Sequence, residues 1–288
     1  MFYVQSMLSI VMTTRFRPAA FLCLLSLLVA AGCSGNPLKG KDGAEAVEKQ
    51  EPVEKMYNAA AKKLDEGSFS EAAKEFDSVE QNYPYSQWAT RAQLMAGYAH
   101  YKNLKYDDAL LALGRFIDLH PGDDNIAYAY YLRALCYYEQ ISDVRRDQKM
   151  TELALDSLRQ VKDRFPESPY SKDAALKIDL TLDHLAGKEM EIGRYYLERK
   201  QYQASINRFE KVVEQYQTTT HVPEALHRLT EAYLSLGITE EAQKAAAILG
   251  RNYPQSRWYK DSYKLIEGPS QPEPKSSIYD KTLGKILN

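Results

Sequence analysis

Between Met56 and Asp261, apolar residues return at helical spacing, block after block, with charged residues between them. The longest block is Ser171–Arg199, where Ala175, Ile178, Leu182, Leu185, Met190, Gly193 and Leu197 follow at steps of 3, 4, 3, 5, 3 and 4. Those steps centre on the 3.6-residue turn, so the pattern predicts one long helix, about 43 Å at 1.5 Å per residue. Gly187 lies inside it at a cost of about 1 kcal/mol and is the candidate bend.

The shorter blocks repeat one phrase. It closes on an aromatic or histidine before proline at Tyr83-Pro84, His120-Pro121, Phe165-Pro166 and Tyr253-Pro254, and Tyr216-Gln217 fits the same frame. Twelve positions before each ending stands Ala72, Ala109, Ala154, Ser205 or Ala242. Twelve before that stands Ala60, Gly97, Gly193 or Thr230, the third copy being interrupted. Two antiparallel helices approach closely only where their crossing residues are small, and proline stops the second helix. This is the tetratricopeptide pattern, and it predicts an all-α superhelix of about five helix pairs. Asp65-Glu66-Gly67 and Leu236-Gly237 read as stops between paired helices, and Asp107-Asp108 and Glu240-Glu241 as acids at helix starts. The endings are 37, 45, 51 and 37 residues apart. The two wide gaps correspond to a charged loop at Ile141–Met150 and to the long helix.

The two ends of the chain depart from this pattern. Arg15 and Arg17 precede an apolar run of 13 residues, Ala19–Ala31, too short to span a bilayer but suited to a signal-peptide core. Ala30-Ala31-Gly32-Cys33 then resembles the bacterial lipoprotein box, with Ala30 where Leu is usual. Residues 1–32 therefore read as a signal peptide, with Met1, Met7 and Met12 all possible starts. Cys33 reads as the lipidated residue, carrying N-palmitoyl and S-diacylglycerol chains. Acyl chains contribute roughly 0.8 kcal/mol per buried CH₂, enough together for a stable anchor. Ser34 after the cysteine favours the outer membrane by the same resemblance. Residues 33–52 read as a tether, 53–167 as an N-terminal block of repeats 1–3, and 168–262 as a C-terminal block of repeats 4–5. Residues 263–288 read as a disordered tail, with docking through Ile278, Leu283, Ile286 and Leu287 as the alternative.

Composition narrows the function. The 288 residues carry 37 Lys and Arg against 39 Asp and Glu, which argues against a nucleic-acid partner. Cys136 is the one cysteine left once Cys23 and Cys33 are set aside, and its apolar setting reads as a buried hydrophobe. Phosphate-loop, nucleophile-elbow and metal-binding motifs are absent, and His221 and His227 straddle Pro223 in poor geometry for one metal. No enzyme, cofactor or metal is expected. Tyrosine is in excess, 22 against 8 Phe and 2 Trp. Large rings with a hydroxyl suit either a half-buried repeat core or a peptide groove. Tyr83, Tyr85, Tyr98, Tyr101, Tyr128 and Tyr131 are the groove candidates.

Several phrases together carry a family resemblance. They are Tyr101-Lys102-Asn103, Arg115-Phe116-Ile117, Asn125-Ile126 with Tyr128, Tyr131 and Arg133, Arg146-Asp147-Gln148, Pro166 with Ser168, Tyr170 and Asp173, and Asn207-Arg208. With the Cys33 box and the repeats, over roughly residues 20–262, the chain resembles the BamD (ComL) family of the β-barrel assembly machinery. The resemblance implies a non-catalytic lipoprotein on the periplasmic face of the outer membrane. Its C-terminal repeats would dock on the POTRA domains of the barrel protein BamA, with Asn207 and Arg208 at the contact. Its N-terminal repeats would receive unfolded outer membrane proteins through the tyrosine groove. Other Bam lipoproteins are the further expected partners. The alternative reading is a periplasmic repeat lipoprotein that recruits cell-wall hydrolases or synthases.

Overall fold

The structure, a computed structural model, describes residues 52–267. Cys33, the leader, most of the tether and the final 21 residues lie outside that range. The described residues form eleven α-helices and no strand. Five pairs follow one another: α1 (Val53–Asp65) with α2 (Phe69–Asn82), α3 (Gln87–Lys102) with α4 (Tyr106–Leu119), and α5 (Ile126–Tyr138) with α6 (Lys149–Arg164). They continue with α7 (Pro169–Glu198) and α8 (Tyr202–Gln215), then α9 (Val222–Ser235) and α10 (Thr239–Asn252), and α11 (Arg257–Glu267) closes the series. Each helix packs on its neighbours in sequence. The first helices α1, α3, α5 and α7 also touch one another in turn, as do α9 and α11, so they form one layer and their partners the other.

Two local geometries recur along the series. Between first and second helix the chain turns through one left-handed residue: Gly67 (φ 80°), Leu104 (59°), Lys200 (59°) and Gly237 (75°). The next amide then reaches back to the first helix, as in Ser68 N–H to Lys63 O and Gln201 N–H to Tyr196 O, both 2.9 Å. This satisfies carbonyls the helix end would leave unpaired. Glycine stands at only two of the four positions, so Leu104 and Lys200 carry the strain of that conformation. The third repeat replaces this turn with the loop at 139–148.

The second helices end alike. Tyr83, His120, Phe165, Tyr216 and Tyr253 all have φ between −135° and −124° and ψ between 43° and 55°. Proline forbids the residue before it from staying helical. Tyr216 adopts the same geometry before Gln217, so packing reinforces what proline imposes. Each carbonyl then accepts from the amide three residues on, at Ser86, Asp123, Ser168, Thr219 and Ser256. Ser86 also caps α3, its Oγ accepting from Ala89 N–H at 3.0 Å.

The crossing residues are as small as the packing requires. Ala60, Ala72, Ala109, Ala134, Ala154, Ser205, Thr230 and Ala242 are all fully buried. A Cβ on Gly97 would lie 2.8 Å from Leu113 Cγ, and one on Gly193 would collide with the Phe209 ring. Helix α7, 30 residues and about 45 Å long, runs through Gly187 without a break. Gly187 instead permits a close approach: a Cβ there would sit 3.3 Å from His221 Nε2 and 3.6 Å from Val144 Cγ1. Ala174, Ile178 and Leu185 of α7 belong to the core of α3–α6, and Ala186 and Met190 to the core of α8–α10. At the far end, α11 continues to Glu267, past residue 262 where the repeats were expected to stop. Tyr259 and Tyr263 pair their rings along it at 6.3 Å.

Gly193→Ala should lower stability by about 1–3 kcal/mol, because Phe209 has nowhere to move in a packed core. Lys200→Gly should raise it by up to about 1 kcal/mol by relieving the left-handed turn. Urea unfolding of both variants, followed by helical circular dichroism, tests the pair of signs.

Candidate functional site

The tyrosines assemble on the layer of first helices. Tyr98 on α3 lies 6.5 Å from Tyr128 on α5, ring centre to ring centre. Tyr128 lies 5.3 Å from Tyr170 on α7. Tyr170 stacks on Tyr131 of α5 at 5.1 Å and 19°. The spacing follows from sequence: Tyr128 and Tyr131 are three residues apart on one helix face, and Tyr170 sits in the first turn of the next first-layer helix. These rings pack on the core of α3–α7 and stay half-exposed, so they serve as core and as surface together.

Two of the candidate hydroxyls are committed, those of Tyr131 and Tyr101. Tyr131 donates to Asp173, which Lys177 also meets at 3.0 Å. The Tyr131 hydrogen bond holds the Asp173 carboxyl below the usual carboxylate range; partial burial opposes this, and Lys177 adds to it. Burial, then Asp173, pushes the Tyr131 phenol well up. Tyr101 stands beside Tyr106 at 6.0 Å and donates to Glu139 at 3.4 Å; burial and Glu139 push its phenol up to about 12. The remaining two candidates sit elsewhere, in the α2–α3 turn. Tyr83 ends α2 half-buried, and Tyr85 is fully exposed, at 101%. Tyr170 and Asp173 were not among the sequence candidates for this surface.

A second polar centre lies along the C-terminal half of α7. Glu189 is 7% exposed. Arg208 Nη1 of α8 donates to its Oε2 at 3.0 Å, and Lys211 Nζ to its Oε1 at 2.6 Å. The family resemblance puts Arg208 at a docking contact. The guanidinium already has an acid within the chain, because Glu189 projects from α7 into the α7–α8 contact and a buried carboxylate requires cations. Asn207 is exposed and accepts from Gln203 at 3.4 Å. The signal for Glu189 was readable: an acid on the stripe, one helical turn from both Leu185 and Gly193. Further along, Arg194 of α7 makes two hydrogen bonds to Glu224 of α9, at 2.9 and 3.1 Å. Asp183 accepts from Thr220 N–H and Oγ1 at 2.8 and 2.7 Å.

The remaining reactive groups are structural. Cys136 is wholly buried, and burial pushes its thiol up to about 12. His227 Nδ1 lies 2.8 Å from Ser262 Oγ and its ring 5.1 Å from Trp258, which seats α11 on α9. His221 faces Asp183 at 3.6 Å. Among the described residues no group of three or more His, Cys, Asp or Glu could hold a metal ion, and no helix is long and apolar enough to cross a membrane.

Stacked helix pairs with this turn chemistry define a tetratricopeptide-repeat protein. Among solved structures, a TPR protein of Thermus thermophilus matches with a TM-score of 0.36 and 16% identity, over 75% of this chain and 99% of that one. The sequence profile of the family described as "YfiO: Outer membrane lipoprotein" matches residues 49–249. A Caulobacter vibrioides protein named outer membrane protein assembly factor BamD is 49% identical over 250 residues, covering 87% of this chain and 81% of that one. A protein of the same name from Rickettsia prowazekii is 45% identical over 240 residues, 83% and 93% of the two chains. One from Neisseria meningitidis is 34% identical over 227 residues, 75% and 85%. The chain belongs to this YfiO/BamD family.

Two outcomes follow from the site. The Asp173 pKa is lowered in the folded protein, so its contribution is complete above the usual carboxylate range and is lost as pH falls through it. Asp173 is 44% exposed, and a screened hydrogen bond to it is worth about 1 kcal/mol. Tyr131→Phe should therefore be less stable than wild type at pH 7, and the gap should close at pH 2–3; urea midpoints at both pH values check this. Cys136 should resist iodoacetamide at pH 8 in the native protein and react after unfolding, as read by mass spectrometry.

Proposed function

We propose that this chain is a non-catalytic, lipid-anchored subunit that serves outer membrane protein assembly from the periplasmic face of the outer membrane. The observation that carries this is the identity of 34–49% to assembly factors over 75–87% of the chain. The Cys33 box supports the anchor, and the absence of catalytic sequence motifs agrees with a scaffold.

The two repeat blocks divide the work in this reading. Residues 53–167, continued by the first turns of α7, offer the tyrosine surface to extended segments of unfolded outer membrane proteins. Half-exposed rings present large area at low entropic cost, and Tyr85 adds a fully exposed one at the edge. Residues 168–262 dock on a BamA-type barrel protein through Arg208, with Asn207 beside it. The Glu189 partnership refines that role: Arg208 is held at 40% exposure with its guanidinium oriented, so docking meets a pre-positioned cation. Other Bam lipoproteins complete the partners.

Arg208→Ala tests the docking. Lys211 still holds Glu189 in that variant, so the fold should persist, as judged by an unchanged thermal transition to within a few degrees. Co-purification of the barrel protein should fall at least tenfold; full retention would overturn the assignment. Cys33→Ala should move the protein from the membrane to the soluble periplasmic fraction, and unchanged fractionation would overturn the anchor.

A further inference from the structure

The inserted loop of the third repeat is built into the fold. The Gln148 side chain is buried and its Nε2 donates to the carbonyls of Asp143, Val144 and Arg146 at 3.3, 3.4 and 3.0 Å. Thr151 donates to Gln148 Oε1 at 2.9 Å. Across the gap, Lys188 of α7 donates to the carbonyls of Arg145 and Arg146 at 2.9 and 3.2 Å. The loop thus stands as a wall. Between it and helices α6, α7 and α8 lies a cleft of about 420 Å³.

Its charge is unbalanced. Five Lys and Arg line it against three Asp and Glu, with Arg145 turned to Glu191 outside the lining at 3.7 Å. Glu189 on the floor is already satisfied by Arg208 and Lys211. Lys188 spends its hydrogen bonds on carbonyls, which leave its charge in place. Arg146 and Lys149 are exposed and have no ion-pair partner among the described residues. Leu185, Ile192 and Tyr216 supply apolar surface between these cations.

We infer that this cleft is a binding site for an acidic polypeptide segment, gripped by Arg146 and Lys149 over the Tyr216 ring. The volume is that of an ordinary ligand pocket and larger than a phosphate needs. The cations are spread along the walls, with Glu152 and Glu189 among them, which disfavours one compact dianion. Separated single carboxylates on a peptide can meet Arg146 and Lys149 one by one while its stem lies on the apolar floor. The site differs from the tyrosine surface in both place and sign, and it does not depend on docking at Arg208.

The probe is a fluorescein-labelled octaglutamate peptide, titrated by anisotropy against the purified mature chain with no barrel protein present. Wild type should bind it at low salt and weaken steeply as salt rises. Arg146→Glu with Lys149→Glu should weaken binding at least tenfold while the helical spectrum is unchanged, since neither side chain holds the fold. Glu152→Gln should tighten it. Three results would overturn the inference: no binding below 1 mM peptide, equal binding by the double variant, or displacement of the peptide by equimolar inorganic pyrophosphate. The last would assign the cleft to a compact anion.

Discussion

How closely the two helices of a pair cross decides everything built on them. At Gly97 and Gly193 there is no room for a single extra carbon, because Leu113 and Phe209 already occupy it. Both contacts join residues sixteen apart, and Phe76 follows Ala60 at the same interval. Once that contact is set, the left-handed turn and the aromatic–proline ending fix where each helix starts and stops. The layer of first helices then forms with its rings in register. The tyrosine surface is a consequence of that register: Tyr98, Tyr128 and Tyr170 meet because α3, α5 and α7 are held side by side.

Much of this was legible in the chain. Small residues at fixed intervals and aromatic–proline endings have a steric meaning that survives without tertiary context, and the α7 stripe marked its helix to within two residues at either end. Leu104 and Lys200 were not legible as turn residues, because the left-handed position carries no required side chain once the turn's backbone bonds and neighbouring helices impose it. The partners of charged groups were also hidden. Arg208 reads as a surface cation from α8 alone. Only the packing of α7 against α8 reveals that Glu189 lies beneath it. Tyr170 escaped notice as a groove residue because its ring partners are on another helix, about 40 residues earlier in the chain.

Helix α7 is where these two kinds of contact meet. Its first half is apolar toward α5 and α6 and carries Tyr170 and Asp173. Its second half holds α8 and α9 through carboxylates and an arginine, Glu189 to Arg208 and Lys211 and Arg194 to Glu224, and at its midpoint Asp183 holds Thr220 in the α8–α9 turn. Burial opposes ionisation of Glu224, yet the Arg194 hydrogen bonds keep its carboxyl below the usual range. Such polar seams contribute little net stability against an apolar alternative but demand one geometry. They hold the tyrosine surface and the face that carries Arg208 in one constant relation.

The central claim is that these two faces engage different partners. Site-specific photo-crosslinking in intact cells tests it most directly, with the crosslinker placed at Tyr85 and, separately, at Asn207, both exposed. The account predicts one discrete adduct with a barrel protein bearing POTRA domains from position 207. From position 85 it predicts a set of adducts with newly made outer membrane proteins, fading when their synthesis stops. The same single adduct from both positions, or a cell-wall hydrolase at position 207, would contradict it.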